Sequence, residues 1–393
     1  MEEVLHSFIP DVRPLTITRV EAVAFNGPIS DLCFVRVYTS LDGLTGIGEA
    51  SLPAKCPAVA QAIRDMSDLV VGLDPRASEH VWQRMYRHSY WRGGPILTSA
   101  ISGIDTALWD IRGKLAGLPV CALLGGPVRD TIRLYANIGL CNDPIELRDR
   151  TQAAMSLGYK TVKFYPLPAL SGVVTTAEVA VVRRACEAVR DTLTEAGDFA
   201  LDFHGRCSPS AAVVIERHLR ETQPLWIEEP VAPENIAGLE TCAAAFATPI
   251  AAGERWFTRW DFARPLERHA VHIVQPDCSN AGGISEMARI AAMAETYGAA
   301  FAPHNPNGPV QGMASLHLAA ALPGFTLLEH RFDLESAFAE MAEGSPKSDG
   351  KGNHSVPKLP GLGIEIDFDR LPRDEVRPAR LESFRADGSI ADW

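Results

Sequence analysis

Residues 199–205 read FALDFHG, a short apolar run that ends in polar residues and a glycine. Runs of the same form recur along the chain: IRLYANIG (132–139), TVKFYPL (161–167), LWIEEP (225–230), PIAAGE (249–254), VHIVQPD (271–277), AAFAPHN (299–305) and FTLLEH (325–330). Between them lie stretches with helical spacing, such as PIELRDRTQAAMSLG and ISEMARIAAMAETYG. This α/β alternation predicts eight parallel strands closed into a (β/α) barrel.

The chain before the barrel has a different pattern. ITRVEAVAF (17–25) and CFVRVYTS (33–40) alternate as antiparallel strands do, and helical stretches follow. This pattern is typical of a small α+β domain. We expect an N-terminal capping domain over residues 1–130, a barrel over 131–342, and a C-terminal segment over 343–393 that returns to the cap.

The C-terminal segment divides into two parts. EGSPKSDGKGNHSVPKLPG (343–361) is rich in Gly, Ser, Lys and Pro, which predicts a mobile loop where an eighth barrel helix would stand. LGIEIDFDRL (362–371) has the alternation of a strand and is expected to reach the cap.

Composition excludes several classes of protein. The chain has 393 residues, 46% of them hydrophobic, and a formal net charge of −12. An acidic surface repels phosphate backbones and anionic lipid, so we expect neither nucleic acid nor a membrane as partner. The eight cysteines are scattered without a C-x-x-C pair, which indicates buried thiols of a cytoplasmic protein. The N-terminus lacks the apolar region of a signal peptide.

Polar residues end six successive strands of the predicted barrel. They follow one another at intervals of 26, 26, 23, 27 and 25 residues and comprise Asp202, Glu228, Glu254, Asp277, His304 and Glu329. A parallel barrel brings the carboxyl ends of its strands to one mouth. The recurrence therefore predicts an active site there.

Three of these residues predict a metal site. Asp202, Glu228 and Glu254 would lie on successive strands, and anionic oxygen ligands select a hard cation such as Mg²⁺. Without a cation, three converging carboxylates would repel one another. The alternative is that they only pair with nearby bases such as Arg206 or Arg255.

Two histidines predict proton transfer. His304 lies one strand beyond Asp277, and a carboxylate that holds one imidazole nitrogen leaves the other free to accept a proton. His204 follows Asp202 by two residues, so alternation places both side chains on one strand face. A second imidazole there could donate a proton on the other side of a substrate.

The strings around these residues carry a resemblance. They are YRHSYWRGGPILTSAISGIDTALWDIRGK, LDFHGR, WIEEP, PIAAGERWFTRWDF, QPDCSNAGGISE and APHNPNGPV. Together they resemble the mandelate racemase subgroup of the enolase superfamily, and within it the sugar acid dehydratases of the galactonate dehydratase type. The similarity runs from about Thr16 to Asp367.

The resemblance implies a fold and a cofactor. It implies a modified TIM barrel, (β/α)7β, below an N-terminal α+β capping domain that the C-terminal segment completes. Asp202, Glu228 and Glu254 would bind one Mg²⁺ per active site. Cap residues near Asn26–Ser30 and Ser51–Cys56 would close the site, and the barrels of this group commonly form homo-oligomers.

The resemblance also implies a reaction. His304, paired with Asp277, would remove the C2 proton of a sugar acid such as an aldonate. His204 would protonate the departing C3 hydroxyl, and Glu329 would hydrogen-bond an oxygen of the enediolate. The product would be a 2-keto-3-deoxy acid, which makes the enzyme a hydro-lyase.

One departure from the group keeps alternatives open. Many relatives carry a Lys-x-Lys pair on the second strand, where this chain has Lys163-Phe164-Tyr165. Lys163 and Arg206 are expected to contact the substrate. An epimerase or cycloisomerase acting through the same enediolate is the alternative, and a sugar-acid-binding protein without turnover is a third hypothesis.

Overall fold

The computed structural model describes residues 14–88, 90–170, 173–372, 374–377, 382–385 and 387–392. The chain begins with an antiparallel sheet in the order β1-β2-β3. Its strands are β1 (Ile17–Asn26), β2 (Asp31–Thr39) and β3 (Thr45–Glu49). This sheet agrees with the alternation in the sequence.

Four helices follow the sheet within the described residues, and we call the part from β1 to the last of them the cap. They are α1 (Cys56–Val70), α2 (Ser78–Arg87), α3 (Gly94–Ala116) and α4 (Val120–Leu123). The backbones of β3 and α3 lie in close contact: a Cβ at Gly48 would stand 2.0 Å from the carbonyl oxygen of Gly103. Glycine is therefore required at this position, and the contact fixes the end of β3 against α3.

Eight strands of the described chain form the barrel. They are β4 (Thr131–Leu140), β5 (Thr161–Tyr165), β6 (Asp198–Asp202), β7 (Ile227–Glu228), β8 (Ile250–Ala252), β9 (Ile273–Val274), β10 (Ala300–Phe301) and β11 (Leu328–His330). Strands β4 to β10 pair in chain order and in parallel, and β11 pairs with β4. A parallel bridge between Phe301 and Phe325 completes the ring. This arrangement confirms the predicted capped barrel.

Helices alternate with these strands. They are α5 (Pro144–Ser156), α6 (Thr176–Leu193), α7 (Pro209–Leu219), α8 (Ile236–Ala245), α9 (Arg259–Glu267), α10 (Gly283–Thr296), α11 (Pro309–Ala321) and the short α12 (Glu335–Met341). Several begin at a side chain that accepts a hydrogen bond from the first turn, such as Asp143, Thr175 and Ser208. Such caps determine where each helix starts, and so how long each loop at the mouth can be.

The C-terminal segment differs from its prediction in one respect, the strand within its first part. Residues 343–361, where a mobile loop is predicted, contain β13 (Asn353–Ser355), which pairs antiparallel with β4. The strand predicted in 362–371 is β14 (Glu365–Ile366), which pairs with β12 (Ala342–Glu343) and not with the cap sheet. Pairing with neighbouring strands satisfies the backbone of both segments, which composition does not reveal.

The C-terminal segment nevertheless contacts the cap. Arg36 of β2 donates to the carbonyl oxygen of Ile366 at 2.8 Å and lies over the Phe368 ring. The last described residues form a hairpin of β15 (Ser383–Phe384) and β16 (Ile390–Ala391). 

The interior of the barrel is apolar below the mouth. Side chains on or next to seven of the eight strands form one buried cluster there: Tyr135, Ala200, Trp226, Ala251, Ile273, Ala302 and Leu327. All eight cysteines are buried and unpaired, as the sequence predicts. A membrane-crossing helix would have to be longer or more apolar than any in the described part of the chain.

Candidate active site

Three carboxylates converge at the mouth of the barrel. Asp202 is the last residue of β6, Glu228 is the last residue of β7, and Glu254 follows β8 by two residues. One oxygen atom from each lies within 4.8 Å of the others. The structure therefore brings together the three residues that the sequence predicts as metal ligands, in an arrangement that could hold a metal ion.

The two outer carboxylates are poised to bind a cation. Burial by itself raises the pKa of Asp202, but His204 and Lys163 hold that pKa below its usual value. Burial also opposes ionisation of Glu254, whereas His304 and His204 hold its pKa well below the usual range. Asp202 Oδ2 is buried, and its contacts with His204 Nε2 at 3.3 Å and Lys163 Nζ at 3.8 Å are longer than those of a strong hydrogen bond. An ionised oxygen that is weakly held in this way fits a hard cation.

The central carboxylate has a cation beside it already. Glu228 Oε1 accepts from Lys163 Nζ at 2.8 Å, and Oε2 accepts from Gln275 Nε2 at 2.9 Å. Burial, together with Asp202 and Glu254, nevertheless raises the pKa of Glu228 to about 8. The carboxylate cluster is therefore incompletely neutralised by the protein's own groups.

Lys163 lies at the floor of the site. It is fully buried on β5, and its Nζ is 3.2 Å from Glu329 Oε1 and 3.8 Å from Asp202 Oδ2. Burial alone would lower the pKa of Lys163, but Glu228 and Glu329 raise it well above the ordinary value. An ammonium group has three donors, and the contacts with Glu228 and Glu329 leave one of them for another acceptor.

His304 and Asp277 form the expected pair. His304 Nδ1 lies 2.8 Å from Asp277 Oδ2, and residues 277 and 304 form a parallel bridge beyond β9 and β10. His304 Nε2 lies 3.0 Å from Glu254 Oε2, so it faces the carboxylate cluster. Burial alone would lower the pKa of His304, but Glu254 and Asp277 raise it well above the ordinary value.

His204 flanks the cluster at its other end. Its Nε2 lies 3.3 Å from Asp202 Oδ2, and that carboxylate raises the pKa of His204 against the effect of burial. The argument from strand alternation is wrong for this residue, because β6 ends at Asp202 and His204 has a positive φ of 49°. The turn, not the strand face, brings the two side chains together.

Glu329 is held by groups from three elements. Its Oε1 accepts from Asn137 Nδ2 at 2.6 Å, and its Oε2 accepts from the backbone amide of Asn305 at 2.9 Å. Burial raises the pKa of Glu329, but the opposite effect of Lys163 and His304 is larger, so the net shift of this pKa is downward. An ionised carboxylate only accepts hydrogen bonds, and the donors at this place are Lys163 and Asn137.

The two arginines of the mouth have different partners. Arg255 pairs with Glu229, which is buried beside the cluster, more closely than with Glu254. Arg206 donates from Nη1 to the carbonyl oxygen of Leu167 at 3.0 Å. Among the described residues, the alternative in which Arg206 and Arg255 pair with the predicted metal ligands has one contact in its favour, of 3.8 Å between Arg255 Nε and Glu254 Oε1.

Some residues of the site were not anticipated from the sequence. Asn137 lies on β4 and also donates to the hydroxyl of Tyr165, whose ring contacts His204 with centroids 4.4 Å apart. Gln275 donates to Glu228 from the end of β9. Their positions at strand ends were available as a signal, but neutral side chains do not stand out from other polar residues.

The two cap segments that were expected to close the site differ in their contacts. Ser51 is buried, and its carbonyl oxygen accepts from Asn280 Nδ2 in the loop after Asp277. Asn26 instead bonds to the backbone of the C-terminal segment, at Glu375 and Arg377.

Comparisons with known proteins agree with this architecture. Residues 146–370 match the family described as enolase C-terminal domain-like. Residues 20–125 match the N-terminal domain of mandelate racemase and muconate lactonizing enzyme. The first match covers the barrel from α5 onward, and the second covers most of the cap.

Relatives of known name are similar over most of the chain. D-galactonate dehydratase of Ralstonia pickettii is 40% identical over 371 residues, which cover 92% of this chain and 96% of that protein. D-galactonate dehydratase of Xanthomonas campestris pv. campestris is 39% identical over 375 residues, with the same coverage.

Solved structures are similar as well. An enolase from Pantoea ananatis with bound D-gluconate and Mg is 30% identical, with a TM-score of 0.88 over 96% of this chain and all of that one. A member of the enolase superfamily from Salmonella Typhimurium is 29% identical, with a TM-score of 0.87 over 91% of this chain and 99% of that one. These matches confirm the resemblance seen in the sequence motifs, and the chain belongs to the mandelate racemase/muconate lactonizing enzyme family of the enolase superfamily.

Proposed function

We propose that this protein is a Mg²⁺-dependent dehydratase of a sugar acid, which removes the C2 proton and eliminates the C3 hydroxyl to give a 2-keto-3-deoxy acid. The observation that carries the proposal is the placement of two imidazoles at opposite ends of one carboxylate cluster. His304 faces Glu254 at 3.0 Å, and His204 faces Asp202 at 3.3 Å. Dehydration needs a base and an acid on either side of the substrate, which this arrangement supplies.

The relatives support the substrate class. Those described above are named D-galactonate dehydratases, and one structural neighbour holds D-gluconate and Mg. Both compounds are aldonic acids with a hydroxyl on C2 and on C3. We infer that an aldonic acid is the substrate of this chain.

His304 is the proposed base. Asp277 holds its Nδ1, which fixes the orientation of the ring and leaves Nε2 facing the carboxylate cluster. Burial lowers the pKa of His304 and Glu254 raises it, so a cation held by Glu254 would lower that pKa and allow Nε2 to accept the C2 proton. The Asp277 carboxylate also stabilises the imidazolium that forms once the proton has been taken.

His204 is the proposed acid. Asp202 raises its pKa, so the imidazole carries the proton that the departing C3 hydroxyl requires. The Tyr165 ring lies against the imidazole and restricts its orientation.

Asp202, Glu228 and Glu254 are the residues that would hold Mg²⁺. When bound there, Mg²⁺ supplies positive charge that stabilises the negative charge developing on the substrate carboxylate. The donor set fits this ion, because it offers one oxygen from each of three carboxylates, all within 4.8 Å of one another.

Lys163, Asn137 and Glu329 form the proposed support for the second substrate oxygen. Lys163 and His304 lower the pKa of Glu329, so we assign this carboxylate the role of orienting the Lys163 ammonium, in place of the hydrogen bond to the enediolate that the resemblance implies. The third Lys163 donor is then free to reach a substrate oxygen, and we expect Arg206 to contact the distal hydroxyls.

The proposal is tested by incubating purified protein with Mg²⁺ and a panel of aldonic and aldaric acids. We expect one acid to yield a 2-keto-3-deoxy product, detected by the absorbance of its semicarbazone, and we expect EDTA to abolish the yield. Exchange of the C2 proton with deuterated solvent, without any keto product, would instead favour the epimerase or cycloisomerase. Binding of Mg²⁺ and a sugar acid without exchange would favour the binding protein.

Two further predictions from the sequence accompany this function. A cytoplasmic location would match the catabolism of small acids. A homo-oligomer is expected because barrels of this group commonly form one. Gel filtration with light scattering measures the second directly.

A further inference from the structure

Glu49 of the cap is buried against the barrel. It ends β3 and is only 1% exposed. Its Oε1 accepts from the backbone amide of Gly308 at 2.7 Å, and its Oε2 accepts from the amide of Gln311 at 2.8 Å. The hydroxyl of Ser51 donates to Oε1 at 2.7 Å. A carboxylate of the cap thus accepts hydrogen bonds from two backbone amides of a barrel helix.

These amides belong to the N-terminus of α11. Gly308 is the N-cap residue and has no side chain with which to cap the helix. A carboxylate at this place satisfies amides that lack partners within the helix and interacts favourably with the helix dipole. A Cβ at Gly308 would lie 2.6 Å from Glu49 Oε1, so a side chain there would displace the carboxylate. Glu49 caps a helix that lies 259 residues away in the sequence.

The capped helix directly follows the loop of His304. Gln311 Oε1 accepts from the amide of Asn307 at 2.9 Å, and Gln311 Nε2 donates to the carbonyl oxygen of His304 at 3.4 Å. Two hydrogen bonds therefore connect Glu49 to the backbone of His304, through Gln311. A shift of the helix N-terminus would move this loop with it.

A second branch reaches the partner of His304. Asn307 Nδ2 lies 3.3 Å from Asp277 Oδ2 and 3.5 Å from the carbonyl oxygen of Ser51. That carbonyl also accepts from Asn280 Nδ2 at 2.9 Å, in the loop that begins at Asp277. The end of β3 and the residues after it thus contact both loops that carry the His304–Asp277 pair.

The geometry points to Glu49 as a positioning residue through which the cap sets the orientation of His304 for proton removal. The inference rests on the proposed function, in which His304 is the base. Proton transfer depends on distance and angle, and a displacement of about 1 Å can cost about a hundredfold in rate. The cap would then be required for the chemical step, in addition to any role in substrate recognition.

The decisive variant is Glu49→Gln, which keeps the size of the side chain. A carboxamide can accept a hydrogen bond from one of the two backbone amides, but it presents its own NH₂ group to the other. We expect kcat and the rate of C2 proton exchange to fall together by about tenfold to a hundredfold. We expect KM and the Kd of Mg²⁺ to change by less than about threefold, because the metal ligands and mouth are untouched.

A readout that needs no turnover accompanies the kinetics. Hydrogen–deuterium exchange followed by mass spectrometry should show faster exchange in the peptide that spans residues 302–312 of Glu49→Gln. The amides of Gly308 and Gln311 lose or weaken their acceptor in this variant. Protection at wild-type level would contradict the capping role of Glu49.

Glu216 provides the matched control. It is buried on α7 and accepts from the amides of Ala247 and Thr248 and from the Thr248 hydroxyl, at 2.9, 3.2 and 3.2 Å. These contacts precede β8, at the end of the barrel opposite the mouth. Glu216→Gln should lower the thermal midpoint, yet kcat and C2 exchange of the folded protein should equal those of the wild type.

Gly308→Ala keeps the inference testable if Glu49→Gln does not fold. Its methyl group should displace the carboxylate and reproduce the loss of kcat with an unchanged KM. In the double variant the two losses should not add, because both act on one contact.

Two results would overturn the inference. One is a Glu49→Gln enzyme with wild-type kcat and C2 exchange, and the other is a kcat loss no larger than that of Glu216→Gln. Failure of the proposed function looks different: wild-type protein would then exchange no C2 proton of any sugar acid. The deuterium exchange of residues 302–312 would still decide whether Glu49 holds the His304 loop.

Discussion

Replacing Lys163 by methionine tests how the site balances its carboxylates. Lys163 is fully buried, with Nζ 2.8 Å from Glu228 and 3.2 Å from Glu329. Removal of one member of a buried ion pair costs about 3–5 kcal/mol of folding free energy, because the remaining charges stay buried without a partner. Methionine has a similar length, so little cavity cost is added. We expect the metal-free variant to be destabilised by this amount.

Mg²⁺ should reverse part of that loss. The ion would neutralise Glu228 together with Asp202 and Glu254, and no ammonium would remain beside it to oppose its binding. A ligand at about 100 times its Kd stabilises the native state by about 2.7 kcal/mol. We therefore expect a lower Kd for Mg²⁺ in Lys163→Met than in the wild type. Unfolding in EDTA and in Mg²⁺, with calorimetric titration of Mg²⁺, measures both effects.

Lys114→Met is the control for this experiment. Lys114 also contacts two carboxylates, Asp110 at 2.8 Å and Glu365 at 2.9 Å, but it is 21% exposed and remote from the cluster. Its loss should cost less and should not depend on Mg²⁺. The reasoning is refuted if Lys163→Met is as stable as the wild type in EDTA. It is refuted equally if Mg²⁺ stabilises Lys163→Met no more than Lys114→Met.

Two other predictions concern the roles of the two histidines and the pH dependence of Mg²⁺ binding. His304→Asn should abolish exchange of the C2 proton, whereas His204→Asn should retain exchange and lose dehydration, because only the acid is missing. NMR in deuterated buffer, with the substrate found in the panel, distinguishes the two variants. Normal turnover of His304→Asn would contradict the assignment. Mg²⁺ affinity should weaken as the pH falls below about 8, because Glu228, whose pKa is raised to about 8, is then protonated and must lose its proton to bind the ion. The expected slope is about tenfold in Kd per pH unit well below that pKa, and a Kd independent of pH in calorimetric titrations would contradict it.

The residues at the strand ends could be predicted because the architecture itself brings them together. In a parallel barrel every strand delivers its carboxyl end to the same mouth. An interval of 23 to 27 residues therefore sufficed to anticipate the meeting of Asp202, Glu228 and Glu254. The His304–Asp277 contact followed from the same rule, since they lie on neighbouring strands.

The extent of the strands could not be predicted in the same way. LWIEEP (225–230) is apolar enough for a six-residue strand, but the strand β7 covers only Ile227–Glu228. Glu229 and His204 have positive φ angles of 41° and 49°, which turn the chain away from the strand direction. Hydrophobic periodicity reports which side chains are buried, and it does not report these dihedral angles.

The sequence by itself thus determined the fold class, the mouth as the place of the site and the charged residues that meet there. Only the tertiary structure decided which neighbours hold those residues: Lys163 between Glu228 and Glu329, Asn137 on Glu329, and Glu49 at the helix behind His304. Strand ends recur with a period along the chain, so their convergence can be read from spacing. Hydrogen bonds and charge interactions depend on separations of a few ångströms between side chains from distant elements, and no period in the sequence encodes them.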